Sequence, residues 1–177
     1  MFGLKLKPEI ETERLTLRPP EARDVEQIVH LANDVDVARM TTGIPHPYTL
    51  DHGCAFVAMA EHADPHIDLP LLIEHRKHGP VGMVGLHRRE APWPELGYWL
   101  GRDFWGMGFA TEAARGLLDW AQVERGMRAA ASGHFDDNPA SGRVLEKLGF
   151  LYTGAIVKRR SYARRTLART RMMVWLP

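Results

Sequence analysis

Alternating and periodic apolar positions divide the first half of the chain into strands and helices. Residues 14–18 alternate between polar and apolar side chains, which is typical of a strand, and two prolines follow directly. Apolar residues then recur at helical spacing after Asp24, which we expect to be the N-cap of a first helix. A second helix is expected from about residue 50 to residue 60. Further strands are predicted at residues 69–74, 81–87 and 95–100, the first two as a hairpin.

The second half of the chain carries the strongest helical pattern. Its apolar stripe consists of Ala110, Ala113, Ala114, Leu117, Leu118 and Ala121, which recur at the spacing of one helix face. Gly126 is a natural stop for this helix, and Asn138-Pro139 followed by Gly149 predicts another. Strands are expected near residues 128–134, 150–157 and 170–176. This alternation predicts a mixed α/β or α+β sheet covered by helices.

The composition fits one soluble domain that spans residues 1–177. Apolar residues make up 45% and charged residues 25% of the chain, which is typical of globular proteins. No stretch approaches the roughly 18 apolar residues of a membrane helix, and the N-terminal residues do not resemble a secretory signal. Cys54 is the only cysteine, so a disulfide within the chain is excluded. We expect a cytoplasmic protein in which Cys54 is buried as a small apolar residue.

Residues 105–111 (WGMGFAT) lie between a predicted strand and the strongest helix. The two glycines allow the main chain to turn sharply and to approach a ligand closely. The first amides of a helix have no partner within it, and the helix dipole is positive at that end. Together these features predict a phosphate site made of main-chain N–H groups. A tight turn that uses glycine only for its geometry would produce the same pattern.

Two common nucleotide-binding motifs do not fit this loop. A P-loop requires Lys and then Ser or Thr after its last glycine, and here Phe109 and Ala110 follow. A dinucleotide fingerprint requires a third Gly or Ala at fixed spacing, where this chain has Thr111. It also requires a βαβ unit, which the N-terminal half lacks. Kinase and dinucleotide interpretations are therefore disfavoured.

Four segments, in this order along the chain, resemble the GNAT superfamily of N-acetyltransferases. They are residues 12–18 (TERLTLR), 95–100 (ELGYWL), 105–112 (WGMGFATE) and 138–150 (NPASGRVLEKLGF). The chain is similar in particular to the branch of ribosomal-protein N-terminal acetyltransferases, which acetylate alanine or serine α-amines. The resemblance implies a central, mixed, mostly antiparallel sheet with a splayed strand pair and helices on both faces. It also implies direct transfer from acetyl-CoA, as co-substrate, to a primary amine of a protein N-terminus or a small molecule.

The resemblance also implies roles for individual residues. The strand at residues 95–100 would splay from its neighbour and pair with the pantetheine arm, and the loop would wrap the pyrophosphate. The implied cofactor-binding residues are Trp99, Leu100, Trp105, Gly106, Met107, Gly108, Phe109, Ala110, Thr111, Asn138, Ser141 and Arg143. The implied catalytic residues are Glu95, at a position sometimes assigned as the general base, and Ser141, near the thioester sulfur. A main-chain N–H near Leu100 would stabilise the oxyanion.

The chain departs from the superfamily pattern at three positions. Trp105 stands where Gln or Arg is usual, and Ala110 stands where the third small residue is usually Gly. Leu145 stands where a tyrosine often reprotonates the leaving thiolate. That proton would then come from Ser141 or from water, or the thiolate would leave unassisted. Two rival functions stay open: a non-catalytic acyl-CoA-binding regulatory module, and a ribosome- or RNA-associated adaptor.

The chain has a net charge of +1, but its charges are unevenly distributed. Residues 158–171 form a basic segment with seven cations and no acid, and the rest of the chain has 16 basic and 22 acidic residues. Three interpretations of this segment stay open. It is a solvated pair of strands, it helps to neutralise the CoA phosphates, or it attracts an acidic substrate or a ribosomal surface. Because few aromatic residues interleave with its cations, nucleic-acid binding is not expected.

The remaining expectations concern metals, assembly and the acceptor wall. The nine histidines form no metal-binding motif, so no metal is expected. We expect a monomer or homodimer without membrane contact. The wall of the acceptor site is expected from residues 41–48, residues 88–94 and the basic segment.

Overall fold

A computed structural model describes residues 7–88 and 92–177. Its centre is an eight-stranded sheet in the order β1-β2-β3-β4-β5-β6-β8-β7. Neighbouring strands are antiparallel except β5 and β6, which are parallel. The strands are β1 (Ile10–Glu11), β2 (Leu15–Arg18), β3 (Asp68–His75), β4 (Gly79–His87), β5 (Glu95–Leu100), β6 (Ala130–Phe135), β7 (Leu151–Ser161) and β8 (Thr166–Trp175). The helices are α1 (Val25–Ala32), α2 (Val35–Ala38), α3 (Leu50–His62), α4 (Phe109–Arg125) and α5 (Pro139–Lys147).

Helices cover both faces of this sheet, as the resemblance implies. On one face lie α4 and α5, and the predicted apolar stripe of α4, including Leu117, packs against the strands, with Ala110 half-buried and the other members buried. On the other face α1 and α3 pack onto Leu72 and Met83. Gly53 does not interrupt α3, because it lies where α1 approaches closely: a Cβ there would come within 2.5 Å of Val29 Cγ2. Within the described ranges, none of the helices combines the length and apolar character that a membrane crossing requires.

Asp24 occupies the N-cap position of α1, as predicted, but its side chain caps nothing in that helix. Its carboxylate accepts hydrogen bonds from the Arg18 guanidinium at 2.8 and 2.9 Å, and a third from the Glu21 amide at 2.8 Å. Burial alone would raise the pKa of Asp24, but the hydrogen bonds from Arg18 and Glu21 outweigh burial and lower it. Asp24 therefore fastens a short 3₁₀ turn, Ala22–Asp24, to β2 through a buried ion pair.

Cys54 is exposed on α3, so the prediction of a buried cysteine is wrong. A helix that covers a sheet buries one stripe of its surface, and α3 buries Gly53, Val57 and Ala60. Cys54 follows Gly53 directly and therefore lies roughly 100° around the helix axis from that stripe.

The basic segment forms most of the β7–β8 hairpin, whose strands are longer than predicted. Acids of the same chain bind several of its cations. Arg164 donates to Asp137 at 2.8 and 2.9 Å, and Asp136 accepts from Arg169 and Arg171 at 2.8 and 2.7 Å. Because both acids follow β6 directly, these ion pairs fasten the hairpin to the end of that strand.

The parallel strands β5 and β6 are paired over a very short distance and then diverge. Their register is a single pair, Glu95 with Ala131. Close to it, the Ser132 hydroxyl donates to the Leu96 carbonyl at 2.9 Å. Beyond this contact the two strands diverge, while β5 stays paired with β4 as far as Leu100. The splayed strand pair that the resemblance implies is therefore present.

Candidate functional site

A cleft of about 910 Å³ opens where β5 and β6 diverge. One side is formed by α5 and by the loop that leads into α4, and the other by α3 and residues 40–45. The predicted functional residues that line the cleft are Glu95, Trp99, Leu100, Trp105, Gly106, Ala110, Asn138 and Ser141. The structure therefore brings the predicted loop, strand and helix together around one cavity.

The other predicted cofactor residues lie beside this cleft and are not part of its lining: Met107, Gly108, Phe109, Thr111 and Arg143. The Phe109 side chain is buried against the rings of Phe104 and His75, so only its main chain can reach a ligand. Arg143 is exposed on α5. Its contact with the cofactor stays a prediction.

The loop before α4 presents main-chain donors at the mouth of the cleft. Gly106 and Gly108 adopt φ angles of +76° and +81°, a conformation that other residues rarely take. Gly108 is also the N-cap of α4. Among the residues that the structure describes, no group accepts a hydrogen bond from the main-chain amides of residues 106–111. The Trp105 indole N–H donates to the Leu100 carbonyl at 2.9 Å and fastens the loop to the end of β5.

An ion pair that the sequence analysis did not predict supports this loop. Arg14 donates to the Met107 carbonyl at 3.1 Å and to the Glu112 carboxylate at 2.7 Å. The Thr12 hydroxyl also donates to Glu112 at 2.7 Å. Burial would raise the pKa of Glu112, but the hydrogen bonds from Thr12 and Arg14 lower it. Glu112 therefore stays ionised and holds the Arg14 cation beside the N-terminus of α4.

The residues opposite the loop are positioned by the start of α5. The Asn138 side chain caps this helix and accepts from the Ser141 amide at 3.2 Å, and Pro139 takes the first helical position. The Tyr98 hydroxyl donates to the Ser141 carbonyl at 3.0 Å and lies 2.9 Å from the Ser141 hydroxyl. Ser141 therefore faces the cleft as part of a pair of hydroxyl groups.

Tyr98 is the main residue of this site that the sequence analysis missed. Burial raises the pKa of its hydroxyl well above the usual range, and the hydrogen bond with Ser141 offsets only part of that effect. Leu145 is fully buried, so α5 presents an apolar side chain one turn after Ser141. The alternation of residues 95–100 is the signal that could have placed Tyr98, since Leu96, Tyr98 and Leu100 share one face of β5.

Glu95 lies on the opposite face of β5, which α1 and α3 cover. Its carboxylate accepts two hydrogen bonds from the Arg159 guanidinium, at 2.5 and 2.8 Å. Glu95 is 8% exposed, so this ion pair is largely withdrawn from water at the edge of the cleft. The two predicted catalytic residues therefore share a cleft but lie on different sides of its sheet.

The expected acceptor wall is only partly at this cleft. Residues 41–45, Tyr48 and Arg159 line it, as expected. The described residues of the 88–94 stretch lie elsewhere: Arg88, Trp93 and Pro94 line a separate depression of about 610 Å³. For these described residues the prediction is wrong: β4 ends opposite Glu95, where β5 and β6 are still paired, and Arg88, Trp93 and Pro94 turn towards the separate depression. Residues 89–91 lie outside the described residues.

Within residues 7–88 and 92–177, no group of three or more His, Cys, Asp or Glu side chains is arranged to hold a metal ion. His62 and His66 have helical spacing in the sequence, but α3 ends at His62.

Comparison with known proteins identifies the family. Residues 14–151 match the family model described as "Acetyltransferase (GNAT) domain". YkkB of Bacillus subtilis (strain 168), an uncharacterized protein, is 30% identical over 161 residues, which is 88% of this chain and 92% of YkkB.

Solved structures share the fold. A GNAT-family acetyltransferase from Bacillus anthracis has a TM-score of 0.82 and 22% identity, covering 96% of this chain and 98% of that one. A ribosomal-protein-S5-alanine acetyltransferase from Vibrio fischeri has a TM-score of 0.76 and 18% identity, covering 96% and 97%. The chain belongs to the GNAT acetyltransferase family and is an acetyl-CoA-dependent N-acetyltransferase. Ribosomal-protein acetyltransferases are among its structural neighbours.

Proposed function

We propose that the protein transfers the acetyl group of acetyl-CoA directly to a primary amine while the cofactor lies between β5 and β6. The observation that carries this proposal is the set of main-chain amides at residues 106–111, which border the cleft and donate to no described group. Unpaired N–H groups at a helix N-terminus favour a phosphate, because the helix dipole adds positive potential there. Arg14, which contacts the same loop, places its guanidinium beside them while it is paired with Glu112.

In this proposal the pantetheine arm continues from the loop along the open side of β5. Main-chain groups point to alternate sides of a strand, and the Leu96 carbonyl faces β6, where it accepts from Ser132. The main-chain groups of Tyr98 and Leu100 then face the gap, whereas those of Trp99 face β4. We expect the amide-rich arm to bond with Tyr98, and the Leu100 N–H to stabilise the oxyanion. Trp99 would contribute through its side chain.

In this proposal the Tyr98–Ser141 pair returns a proton to the leaving thiolate. The raised pKa of Tyr98 keeps its hydroxyl protonated, and Ser141 is the residue that the resemblance places near the sulfur. The proton would pass from one hydroxyl of this pair to the sulfur. Tyr98 would thereby supply from β5 the function that a tyrosine on α5 has in many superfamily members, where this chain has Leu145.

The acceptor is a protein N-terminal α-amine or a small-molecule amine. Either must lose a proton before it attacks the thioester carbonyl, because an ammonium group has no lone pair. Glu95, the predicted base, is engaged by Arg159 through both carboxylate oxygens. In this proposal it acts through a water molecule or positions Arg159.

Thiol release from acetyl-CoA in the presence of a panel of primary amines tests the proposed function. The panel includes peptides with N-terminal alanine or serine, aralkylamines and polyamines. We expect amine-dependent release of CoA and an N-acetylated product by mass spectrometry. Binding of CoA without turnover of any amine would contradict the proposal and favour the acyl-CoA-binding regulatory module.

The ribosome- or RNA-associated adaptor is the less favoured alternative. It would use the basic segment, but Arg159, Arg164, Arg169 and Arg171 are bound to acids of the same chain. RNA binding that disappears when the exposed Lys158 and Arg165 are replaced by Ala would support this alternative instead.

A further inference from the structure

We propose that His87, oriented by Asp68, accepts the proton from the acceptor amine, and that this amine is a monoamine carried on an apolar body. The proposal deepens the proposed function and rests on it, since it concerns the acceptor half of the same cleft. We define that acceptor half by His87, Asp68, Phe56, Met59, Ile44 and Trp99, all of which line the cleft on the face covered by α1 and α3.

His87 and Asp68 form a dyad across two neighbouring strands. Asp68 is the first residue of β3 and His87 is the last residue of β4, and the two residues are directly paired in the sheet. The Nδ1 atom of His87 is hydrogen-bonded to Oδ1 of Asp68. A carboxylate only accepts, so Nδ1 carries the hydrogen and Nε2 of the neutral ring is left as an acceptor. No residue in the described part of the chain donates a hydrogen bond to Nε2.

The imidazole ring lies above two glycines that face each other in the sheet. Gly85 on β4 is paired with Gly97 on β5. A Cβ on Gly85 would lie 2.8 Å from Nε2 of His87, and a Cβ on Gly97 would lie 3.5 Å from it. Any side chain at position 85 would therefore displace the ring. The pair of glycines leaves room for the ring, and Nε2 lies over the middle of β5, where Trp99 is the next residue on the same face.

Glu95 is the other candidate for the general base, but its ion pair with Arg159 argues against that role. Glu95 is directly paired with His87 on the neighbouring strand, so both face the same half of the cleft. Its two oxygens accept from Arg159 on β7, whereas His87 keeps Nε2 towards the cleft. The titratable and charged residues that line the cleft with His87 include Asp68 from β3, Glu95 from β5, Arg159 from β7 and His52 from α3.

The walls of the acceptor half point to an apolar body. Phe56 and Met59 of α3, Ile44 of the preceding loop and Trp99 of β5 are apolar residues of this wall. Among the described residues, the acids that line the cleft are Asp68, Glu95 and Asp137. Asp68 accepts from the His87 ring, and Glu95 and Asp137 are paired with Arg159 and Arg164. A polyamine would find no unpaired carboxylate among these acids for its second charge. A single amine on an aromatic or aliphatic body would bury that body against the apolar wall.

The protons balance over the whole reaction. The ammonium form of the acceptor gives one proton to Nε2 of His87, and the imidazolium that forms is stabilised by Asp68. The neutral nitrogen attacks the thioester carbonyl, so a C–N bond forms and, as the tetrahedral intermediate collapses, the C–S bond breaks. The second nitrogen proton is lost to solvent while Tyr98 or Ser141 protonates the thiolate and is reprotonated from solvent. His87 then releases its proton to water. The products are the N-acetylated amine, CoA thiol and one proton.

The test of the base measures kcat/KM for phenethylamine against pH in wild-type protein and in H87Q, E95Q and H62Q. His62 is an exposed histidine at the end of α3 and serves as the matched control. We expect wild-type activity to fall at acid pH and H87Q to lose about 100-fold in kcat together with that acid limb. The H62Q profile should match the wild type. CoA affinity measured by calorimetry should be unchanged in H87Q, which separates loss of the base from loss of folding.

A second variant and a second substrate provide independent tests of the role of His87. D68N should lower kcat with little change in the KM for the amine, because it disturbs only the orientation of the ring. β,β-Difluorophenethylamine is a weaker base and is largely neutral near neutral pH, so H87Q should lose much less activity with it than with phenethylamine. Equal loss with both amines would contradict the role of His87. So would an acid limb that persists in H87Q and disappears in E95Q.

The substrate class is tested with the wild type alone. We expect kcat/KM for phenethylamine to exceed that for spermidine by about tenfold or more, since one buried aromatic body outweighs a second unpaired cation. A preference for spermidine would overturn the substrate class and leave the proposed function intact. Absence of turnover with every amine would overturn the proposed function, and this inference with it.

Discussion

At the residue scale, Gly108 joins the phosphate loop to α4 at a φ of +81°, and a Cβ at this position would lie 3.4 Å from Nη2 of Arg14. Replacement by valine would strain the main chain and place a side chain where the proposal puts a phosphate. We expect G108V to weaken CoA binding by about tenfold or more, measured as the dissociation constant by calorimetry.

Gly126 provides a matched control for this substitution. It ends the same helix at a φ of +60°, and a Cβ there would meet no atom within 4 Å. G126V should lower the free energy of unfolding by about as much as G108V does, about 1–2 kcal/mol, while leaving CoA affinity unchanged. Equal CoA affinity in G108V and wild type would contradict the phosphate site.

Tyr98 is the second residue whose role a single substitution isolates. Y98F removes the hydroxyl that contacts Ser141 and leaves the ring in place. We expect kcat to fall by about 10- to 100-fold, with unchanged CoA affinity, because the thiolate loses its proton donor. Y162F, at an exposed tyrosine that Arg160 covers, should behave as wild type. An unchanged kcat in Y98F would indicate that the thiolate leaves unassisted.

At the scale of elements, the buried ion pair between Asp24 and Arg18 links the turn before α1 to the sheet. The pKa of Asp24 is lowered in the folded protein, so the ionised carboxylate stabilises the fold above its unfolded pKa, and this contribution is lost as the pH falls through the folded pKa. We expect D24N to lower the free energy of unfolding by about 3 kcal/mol near neutral pH, because it leaves Arg18 buried without its partner.

Urea denaturation at several pH values checks this prediction. The difference between wild type and D24N should shrink as the pH is lowered below about 4, where the carboxyl of the unfolded chain takes up a proton, and on through the lower pKa of the folded carboxyl. D119N, at an exposed aspartate on α4, should unfold as the wild type does. A difference between wild type and D24N that does not change with pH would contradict the ion-pair account.

The elements that were predicted well are those whose determinants are local. The stripe of α4, its stop at Gly126 and the residues of β5 follow from patterns within a single stretch of sequence. The β7–β8 hairpin was underestimated because its cations look like a solvated block, and the acids that bind them follow β6. Cys54 was misplaced because a polarity pattern does not define which narrow stripe of α3 meets α1 and the sheet.

At the scale of the whole molecule, the two halves of the site differ in how far the sequence reveals them. The cofactor half is built largely from consecutive main-chain groups at residues 105–111, so a local motif predicts it. The acceptor half is assembled from β3, β4, β5 and α3, so no single stretch of sequence contains it. His87 and Asp68 were missed for this reason, whereas Tyr98 was missed although the local alternation of residues 95–100 could have placed it. Conversely, Glu95 was identified, but not its ion pair with Arg159, 64 positions away in the chain.

Cofactor binding should also stabilise the whole fold. A ligand that binds only the folded state adds roughly 2.7 kcal/mol at a hundredfold excess over its dissociation constant. We expect CoA to raise the melting temperature of the wild type and of G126V, and to raise that of G108V much less. Calorimetric scans with and without CoA measure the effect. A rise of equal size in all three proteins would place the cofactor away from the loop.

The central claim is that the main-chain amides of residues 106–111 bind the pyrophosphate of CoA at the mouth of the splayed strands. A crystal structure of the protein with CoA measures this directly. The account predicts hydrogen bonds from these amides to the pyrophosphate oxygens, with the pantetheine arm between β5 and β6 and the sulfur beside Tyr98 and Ser141. Pyrophosphate bound elsewhere, or loop amides that donate to protein groups in the complex, would contradict it.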